Sequence, residues 1–201
     1  MKTSNILIDS KPASEGKEKT QEDWIDYFVD HGRIMISAPN VYNAVLQKDI
    51  LDSLRKDFKA GLITSTRLIY NPKNLETKII HDYGSSIIKP KIITIEAPVF
   101  EGVPIAKALE GKGLIYAQAL FCTDDNLTKI VEVLEELSQM GAERIRLWTP
   151  DQASRIRFSD RAAGFASYNN MMFTVTAVYD PINYPCRSRG VQLNSGMEKG
   201  S

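Results

Sequence analysis

Apolar residues recur at helical spacing in the first third of the chain, separated by short polar breaks. The first such stretch begins near Glu22 and ends at Gly32. Its apolar positions are Trp24, Ile25 and Phe28. Residues 39–45 and 49–58 repeat the pattern, and Gly61 is placed to end the last of these stretches. We therefore predict three helices in the amino-terminal part of the chain.

Residues 62–97 are instead rich in β-branched and aromatic side chains. Residues 62–70 and 77–83 flank an Asn-Pro-Lys-Asn segment, which is typical of a turn. This arrangement predicts a β-hairpin. Residues 91–97 are a further strand, and Pro104 suits the first turn of a short helix that ends near residue 109.

A strand–helix–strand unit is predicted after Gly113. Residues 114–121 are almost continuously apolar and are interpreted as a strand, and residues 144–149 as a second strand. The segment between them has one apolar helical face, formed by Leu127, Ile130, Val131, Leu134 and Leu137. Short links around such a helix predict two parallel strands joined by a right-handed crossover.

The carboxy-terminal part predicts a short helix and a final hairpin. Thr149, Pro150 and Gln152 have the spacing of a helix start, and the helix is expected to continue through residue 157. Residues 163–168 and 171–179 read as two strands around Asn169 and Asn170. The whole pattern indicates an α+β fold: a mixed, mainly antiparallel sheet, one right-handed βαβ crossover and amino-terminal helices.

The distribution of apolar residues also predicts the domain division. Residues 1–21 are polar and rich in Lys, Glu and Ser, so we expect a flexible tail. Residues 22–193 are expected to form a single α+β domain, since no linker divides them. Residues 194–201 are expected to be a second flexible end.

Composition adds limits on function. Basic and acidic residues both number 25, which argues against wholesale coating of nucleic acid. The two cysteines, Cys122 and Cys186, are too few for a disulfide framework and favour a reducing compartment. No window approaches the roughly 18 apolar residues of a membrane span. We expect a soluble, cytoplasmic protein without a membrane association, and the scattered Cys and His predict neither a metal site nor a cofactor.

Arginine replaces lysine entirely over residues 130–198. Guanidinium groups bind phosphate and carboxylate through two parallel hydrogen bonds, which ammonium groups cannot do. The pattern therefore favours an anion-binding site formed by Arg155, Arg157, Arg161, Arg187 and Arg189. The alternative is that these arginines pair with nearby carboxylates or cover apolar surface with their stems.

His81 is the first candidate for acid–base chemistry, because it is one of only two histidines. It follows an apolar strand, and Tyr83 lies two residues later. Tyr83 would supply orientation or a proton. The alternative is a hydrogen-bonded structural histidine.

Cys122 is a third candidate. The predicted elements place it between a strand and a helix amino terminus, where the helix field would stabilise a thiolate. The aspartates at 124 and 125 would act against this by raising the thiol pKa. The alternative is a small apolar residue that ends a buried strand.

Three functions stay open at this point, and whether the protein is an enzyme is undecided. The first is an interaction or assembly protein without a small-molecule substrate, whose tail and Trp24 helix contact a protein partner or a second copy. The second is a protein that binds nucleic acid or a phosphate-bearing ligand through the carboxy-terminal arginines. The third is a small-molecule enzyme with a site near His81.

Overall fold

The computed structural model describes residues 6–13, 17–96, 103–148, 159–169, 171–178 and 186–193. Within these ranges the α-helices are α1 (Gln21–Asp30), α2 (Ala38–Asn43), α3 (Lys48–Ala60), α4 (Ile105–Ala108), α5 (Lys112–Phe121) and α6 (Leu127–Ser138). The strands are β1 (Ile6–Ile8), β2 (Ile34–Met35), β3 (Leu62–Asn71), β4 (Glu76–His81), β5 (Lys91–Glu96), β6 (Ile145–Leu147), β7 (Ser159–Tyr168), β8 (Met172–Val178) and β9 (Gly190–Leu193).

A six-stranded sheet forms the centre of the fold, in the order β5-β4-β3-β7-β8-β6. The neighbours are antiparallel except β6 and β8, which run parallel. The predicted hairpins, β3–β4 and β7–β8, are both present. The structure confirms an α+β fold with a mixed and mainly antiparallel sheet.

A second sheet has three strands in the order β1-β9-β2. Ile8 of β1 pairs with Val191 of β9 and is buried. Residues 1–21, expected to be a flexible tail, thus include strand β1, because β9 supplies pairing partners and the core receives the Ile8 side chain. The division into one domain and two flexible ends otherwise stays a prediction, and residues 194–201 lie outside the described residues.

The predicted βαβ crossover is wrong, because residues 112–121 form helix α5 and not a strand. A short, continuously apolar run fits a buried strand and a buried helix equally well by periodicity. This run contains Ala, Leu and Gln, which favour helix. Tyr116, Ala117 and Leu120 of α5 are buried. The second predicted strand exists as β6, but its parallel neighbour is β8.

Helices α3 and α6 pack their apolar faces into the main core. Ile130, Leu134 and Leu137 of α6 are buried, as predicted, while Leu127 and Val131 are partly buried against the same core. Phe58, near the end of α3, contacts the rings of Phe165 and Phe173 on β7 and β8, with centroid distances of 6.0 and 5.3 Å. These contacts fix the last turn of α3 against the sheet.

A smaller apolar cluster lies under α1. It contains Trp24, Ile25, Phe28, Met35, Ile63, Ala162 and Cys186. The Trp24 indole N–H donates to the backbone carbonyl of Cys186 at 2.7 Å. Among the helices of the described ranges, none combines the length and apolar character needed to cross a bilayer. The short helix predicted for residues 150–157 falls outside the described residues.

Candidate functional site

Arg189, the last of the predicted anion-binding arginines, is fully buried. Its Nε donates to Oδ2 of Asp57 at 2.5 Å, its Nη1 to the backbone carbonyl of Asp9 at 2.7 Å, and its Nη2 to the hydroxyl of Ser53 at 2.7 Å. The guanidinium thus donates hydrogen bonds to three internal acceptors. It holds β9 to α3 and is not presented to solvent.

Asp57 is buried and has two arginine neighbours. Nη1 of Arg187 lies 4.0 Å from its second oxygen, Oδ1. Burial raises the pKa of Asp57 above its usual value, and the charges of Arg189 and Arg187 act in the opposite direction. Arg187 and Arg189 therefore converge on an internal carboxylate.

The other predicted arginines do not complete an anion site in the described ranges. Arg161 lies on β7 and is almost fully buried, and its Nη1 donates to the backbone carbonyl of Ala177 at 3.4 Å. Arg155 and Arg157 lie outside the described residues. A site shared by all five arginines accordingly stays a prediction. The guanidiniums of Arg187 and Arg189 lie beside the buried carboxylate of Asp57.

His81 lies at the centre of a buried hydrogen-bond chain. Its Nε2 is 3.0 Å from the carbonyl oxygen of Ala119, and its Nδ1 is 3.0 Å from the hydroxyl of Thr66. Because a carbonyl oxygen only accepts, Nε2 carries the proton and Nδ1 accepts from Thr66. The Thr66 hydroxyl in turn accepts from the backbone N–H of Ala38 at 2.9 Å. The chain joins α2, β3, β4 and α5.

The His81 ring is neutral in this setting. Burial lowers its pKa, the bond to Ala119 acts in the opposite direction, and the nearby Lys91 lowers it as well, so that the pKa is about 4. Tyr83 belongs to a different contact: the guanidinium of Arg67 lies 5.0 Å from its ring centroid. Arg67 is held by Asp160 at 2.5 Å and by Gln21 at 2.6 Å. Both predicted catalytic side chains thus have structural partners.

Cys122 follows the carboxyl end of α5 and not a helix amino terminus, so its predicted position is wrong. The error follows from α5 itself, because residues 112–121 are helical and α6 begins only at Leu127. Burial raises the pKa of the Cys122 thiol, against a hydrogen bond from Lys91. The negative end of the α5 dipole also disfavours a thiolate. These surroundings do not favour a thiolate at Cys122.

A cleft of about 630 Å³ opens beside α3, and its lining is strongly cationic. Its walls come from α3, the carboxyl end of α6, the turn before β6, and the adjoining parts of β7 and β8. Four basic side chains and one acidic side chain line it. The basic residues are Arg55, Lys56, Lys59 and Arg144, and the acidic residue is Asp52.

Arg55 and Asp52 neutralise each other within this lining. Nη1 of Arg55 lies 2.8 Å from Oδ1 of Asp52. Its other nitrogens donate to the carbonyls of Glu136 and Leu137 at 2.6 and 3.3 Å, so that Arg55 covers the negative carboxyl end of α6. The positive charge left to the cleft comes from the remaining cations of the lining.

Those remaining cations are Lys56, Lys59 and Arg144, and all three are exposed. No ion pair within the described ranges involves Lys56 or Lys59. Arg144 has a partly exposed neighbour, Glu143, at 3.5 Å. Sequence reasoning missed the two lysines because they lie on the polar face of an amphipathic helix. The available signal was the close spacing of three basic residues, Arg55, Lys56 and Lys59, just before Gly61.

A second cavity of about 140 Å³ adjoins the cationic cleft. The two share Phe58, Lys59 and Ser167 in their walls. The remaining wall is made mainly of small and apolar residues at the start of β3 and along β7. Tyr168, with 53% of its surface exposed, stands at its edge.

Within the described ranges, no group of three or more His, Cys, Asp or Glu side chains is placed to hold a metal ion. Comparison with models of protein families finds no match, and comparisons with curated proteins and with solved structures find no similar protein. The candidate functional site is therefore the cationic cleft together with its neighbouring cavity.

Proposed function

We propose that this protein binds a small phosphate-bearing anion in the cationic cleft beside α3. The observation that carries the proposal is the excess of positive charge in one concave surface. Four cations against one carboxylate give the lining a net formal charge of plus three. Concave surfaces lined by charge of one sign concentrate ligands of the opposite sign.

The composition of the lining supports phosphate in particular. Lys56 and Lys59 offer ammonium groups that rotate freely, and Arg144 offers a planar fork that matches two phosphate oxygens. Ser167 and Gln139 add neutral polar groups to the same wall. The negative charge of Asp52 opposes anion binding only weakly, because Arg55 donates a hydrogen bond to this carboxylate. This proposal shares its ligand class with the arginine hypothesis, but it places the anion at the cleft residues and not at the five carboxy-terminal arginines.

Two observations lead us to favour phosphate binding over the two other hypotheses. A catalytic His81 would need an accessible nitrogen, whereas both its ring nitrogens have internal partners. A partner-binding α1 would need an exposed Trp24, whereas this side chain is fully buried. Binding of a protein partner or of a second copy elsewhere on the surface stays a prediction, and no reaction is assigned.

A cytoplasmic location belongs to the same proposal. Cys122 and Cys186 are both free thiols. Reduced cysteines are typical of a reducing compartment.

The test is a calorimetric titration of the whole protein with inorganic tripolyphosphate at low salt. We expect binding that weakens as the salt concentration rises, because salt screens exposed charges. The double variant Lys56→Gln/Lys59→Gln should weaken binding about tenfold, since two partly solvated charge-assisted hydrogen bonds are lost.

The matched control is the double variant Lys48→Gln/Lys78→Gln. It removes the same net charge from exposed lysines that do not line the cleft, one of them on α3 itself. It should bind tripolyphosphate as the unchanged protein does. Equal weakening by both double variants would mean that only overall charge matters, and the proposed cleft would be rejected.

A further inference from the structure

The 140 Å³ cavity differs chemically from the cleft that it joins. Its wall includes Ala60, Gly61, Gly164, Phe165 and Ala166, which present almost no polar side chains. Gly61 has φ +85°, and an added Cβ there would stand 3.6 Å from the sulfur of Cys186. Glycine is favoured at this point because L side chains rarely adopt such a φ. The largely apolar wall suits an apolar group, whereas the cleft suits an anion.

The junction between the cavities leaves room for one ligand with two unlike parts. Lys59, Phe58 and Ser167 belong to both walls, so a group in the small cavity lies beside the cations of the large one. Volumes of 630 and 140 Å³ together fall within the range of about 300–1,000 Å³ that is usual for small-molecule sites. Such a ligand has a flat apolar group at one end and negative charge at the other.

Tyr168 supplies the feature that selects the flat group. It ends β7, at the tip of the β7–β8 hairpin, and 53% of its surface is exposed. An exposed tyrosine ring beside an apolar slot is a stacking surface for an aromatic ring system, and stacking of a nucleobase on such a ring contributes about 1–3 kcal/mol. Ser167 and Thr176, which both carry hydroxyls, line the same wall.

We infer that the ligand is a free nucleotide, with its base in the small cavity against Tyr168 and its phosphates in the cleft at Lys56, Lys59 and Arg144. This inference rests on the proposed function, because it assigns the anion of the cleft to the phosphate part of the same molecule. It goes further by assigning the class of the ligand and a specificity-determining residue, Tyr168.

The experiment compares adenosine triphosphate, guanosine triphosphate and tripolyphosphate as ligands of the whole protein. At least one nucleoside triphosphate should bind at least about fivefold more tightly than tripolyphosphate, which corresponds to the lower end of the stacking contribution. Tyr168→Ala should remove this preference and leave tripolyphosphate binding unchanged. Tyr168→Phe keeps the ring and should retain the preference.

The outcomes separate the two proposals. If tripolyphosphate binds as tightly as both nucleotides, or if Tyr168→Ala leaves the preference intact, the nucleotide assignment is overturned and the anion site stands. If neither tripolyphosphate nor a nucleotide binds, both proposals are overturned. Tighter binding of a trinucleotide of RNA than of the free nucleotide would replace the free nucleotide with a single strand. Melting curves of each variant should match that of the unchanged protein, because Tyr168 is exposed.

Discussion

Nε of Arg189 lies 2.5 Å from Oδ2 of Asp57, and both side chains are withdrawn from solvent. The pair joins β9 to α3 across 132 positions of the chain. Its remaining hydrogen-bond donors are used by Ser53 and by the backbone after β1. Such additional hydrogen bonds offset part of the desolvation cost of a buried ion pair.

Loss of one partner of this pair should destabilise the protein strongly. Arg189→Met leaves Asp57 buried without its main counter-charge and should lower the free energy of unfolding by about 3–5 kcal/mol. Adding Asp57→Leu should recover part of that loss, because the uncompensated charge is then gone. Urea unfolding of the single and double variants measures both effects.

The control for this pair is Arg33→Met. Arg33 also lies near an aspartate, Asp9, at 3.7 Å, but both side chains are about one-third exposed. An exposed pair of this kind contributes about 0–1 kcal/mol. Similar losses for Arg33→Met and Arg189→Met would contradict the structural role given to the buried pair.

The first strand should contribute to stability through one side chain. Ile8 is 6% exposed, whereas its neighbour Leu7 is 48% exposed. Ile8→Ala should lower the free energy of unfolding by about 2–4 kcal/mol, since it leaves a cavity in the core. Leu7→Ala should change it by less than about 0.5 kcal/mol. Equal, small effects would show that β1 is not docked in solution.

Neutral His81 should make stability depend on pH in a defined window. The folded pKa of about 4 lies below the usual value of 6.5, so between these limits the unfolded chain binds a proton that the folded protein does not. Stability is therefore complete above about pH 6.5 and falls as the pH is lowered towards 4, by about 3 kcal/mol in all.

The variant that tests this expectation is His81→Gln. Its stability should fall less steeply over the same pH range, whatever its absolute stability. His31→Gln serves as the control, because the His31 ring is exposed and hydrogen-bonds only to the nearby carbonyl of Tyr27 within the described ranges. An unchanged slope in His81→Gln would exclude His81 as the source of the pH dependence.

The contribution of helix α6 to stability should come mainly from its buried face. Leu134 is fully buried, and Leu134→Ala should cost about 2–5 kcal/mol. Glu132, on the exposed face, has only a solvated contact with Lys129 at 3.4 Å, so Glu132→Ala should cost less than about 1 kcal/mol. Glu135 is not a suitable control, because its carboxylate accepts from the backbone N–H of Ala142 at 2.8 Å. Thermal melts of the two variants give the comparison.

Local pattern was enough for helix α6 and for the two hairpins. Helix α6 follows from periodicity, because one of its faces is apolar and the other polar. The hairpins follow from turn residues that separate runs rich in β-branched and aromatic side chains. Helix α5 was missed because residues 112–121 are apolar on nearly all sides, and a buried helix then resembles a buried strand. Strand β1 was missed because three residues carry too little pattern.

The candidate site was beyond sequence reasoning for a different reason. In the sequence, Lys56 and Lys59 resemble ordinary surface lysines. They line a cleft only because the fold places α3 beside Arg144 and the ends of β7 and β8. Arg189 was proposed for an external anion because no local pattern links it to Asp57. Both cases depend on contacts between positions far apart in the chain, which only the folded arrangement creates.

The pairing of β1 with β9 has a consequence for how the chain is made. A ribosome releases residues in order, so β1, β2 and Asp57 emerge long before Arg189 and β9. Strand β9 completes the three-stranded sheet, and Arg189 supplies the counter-charge of Asp57. The hydrogen bond from Arg189 to the carbonyl of Asp9 spans 180 positions. Until then Asp57 must remain hydrated, because its counter-charge has not been synthesised. The three-stranded sheet is therefore expected to close only after translation has passed Leu193, as a late, slow step governed by the closure of a very long loop.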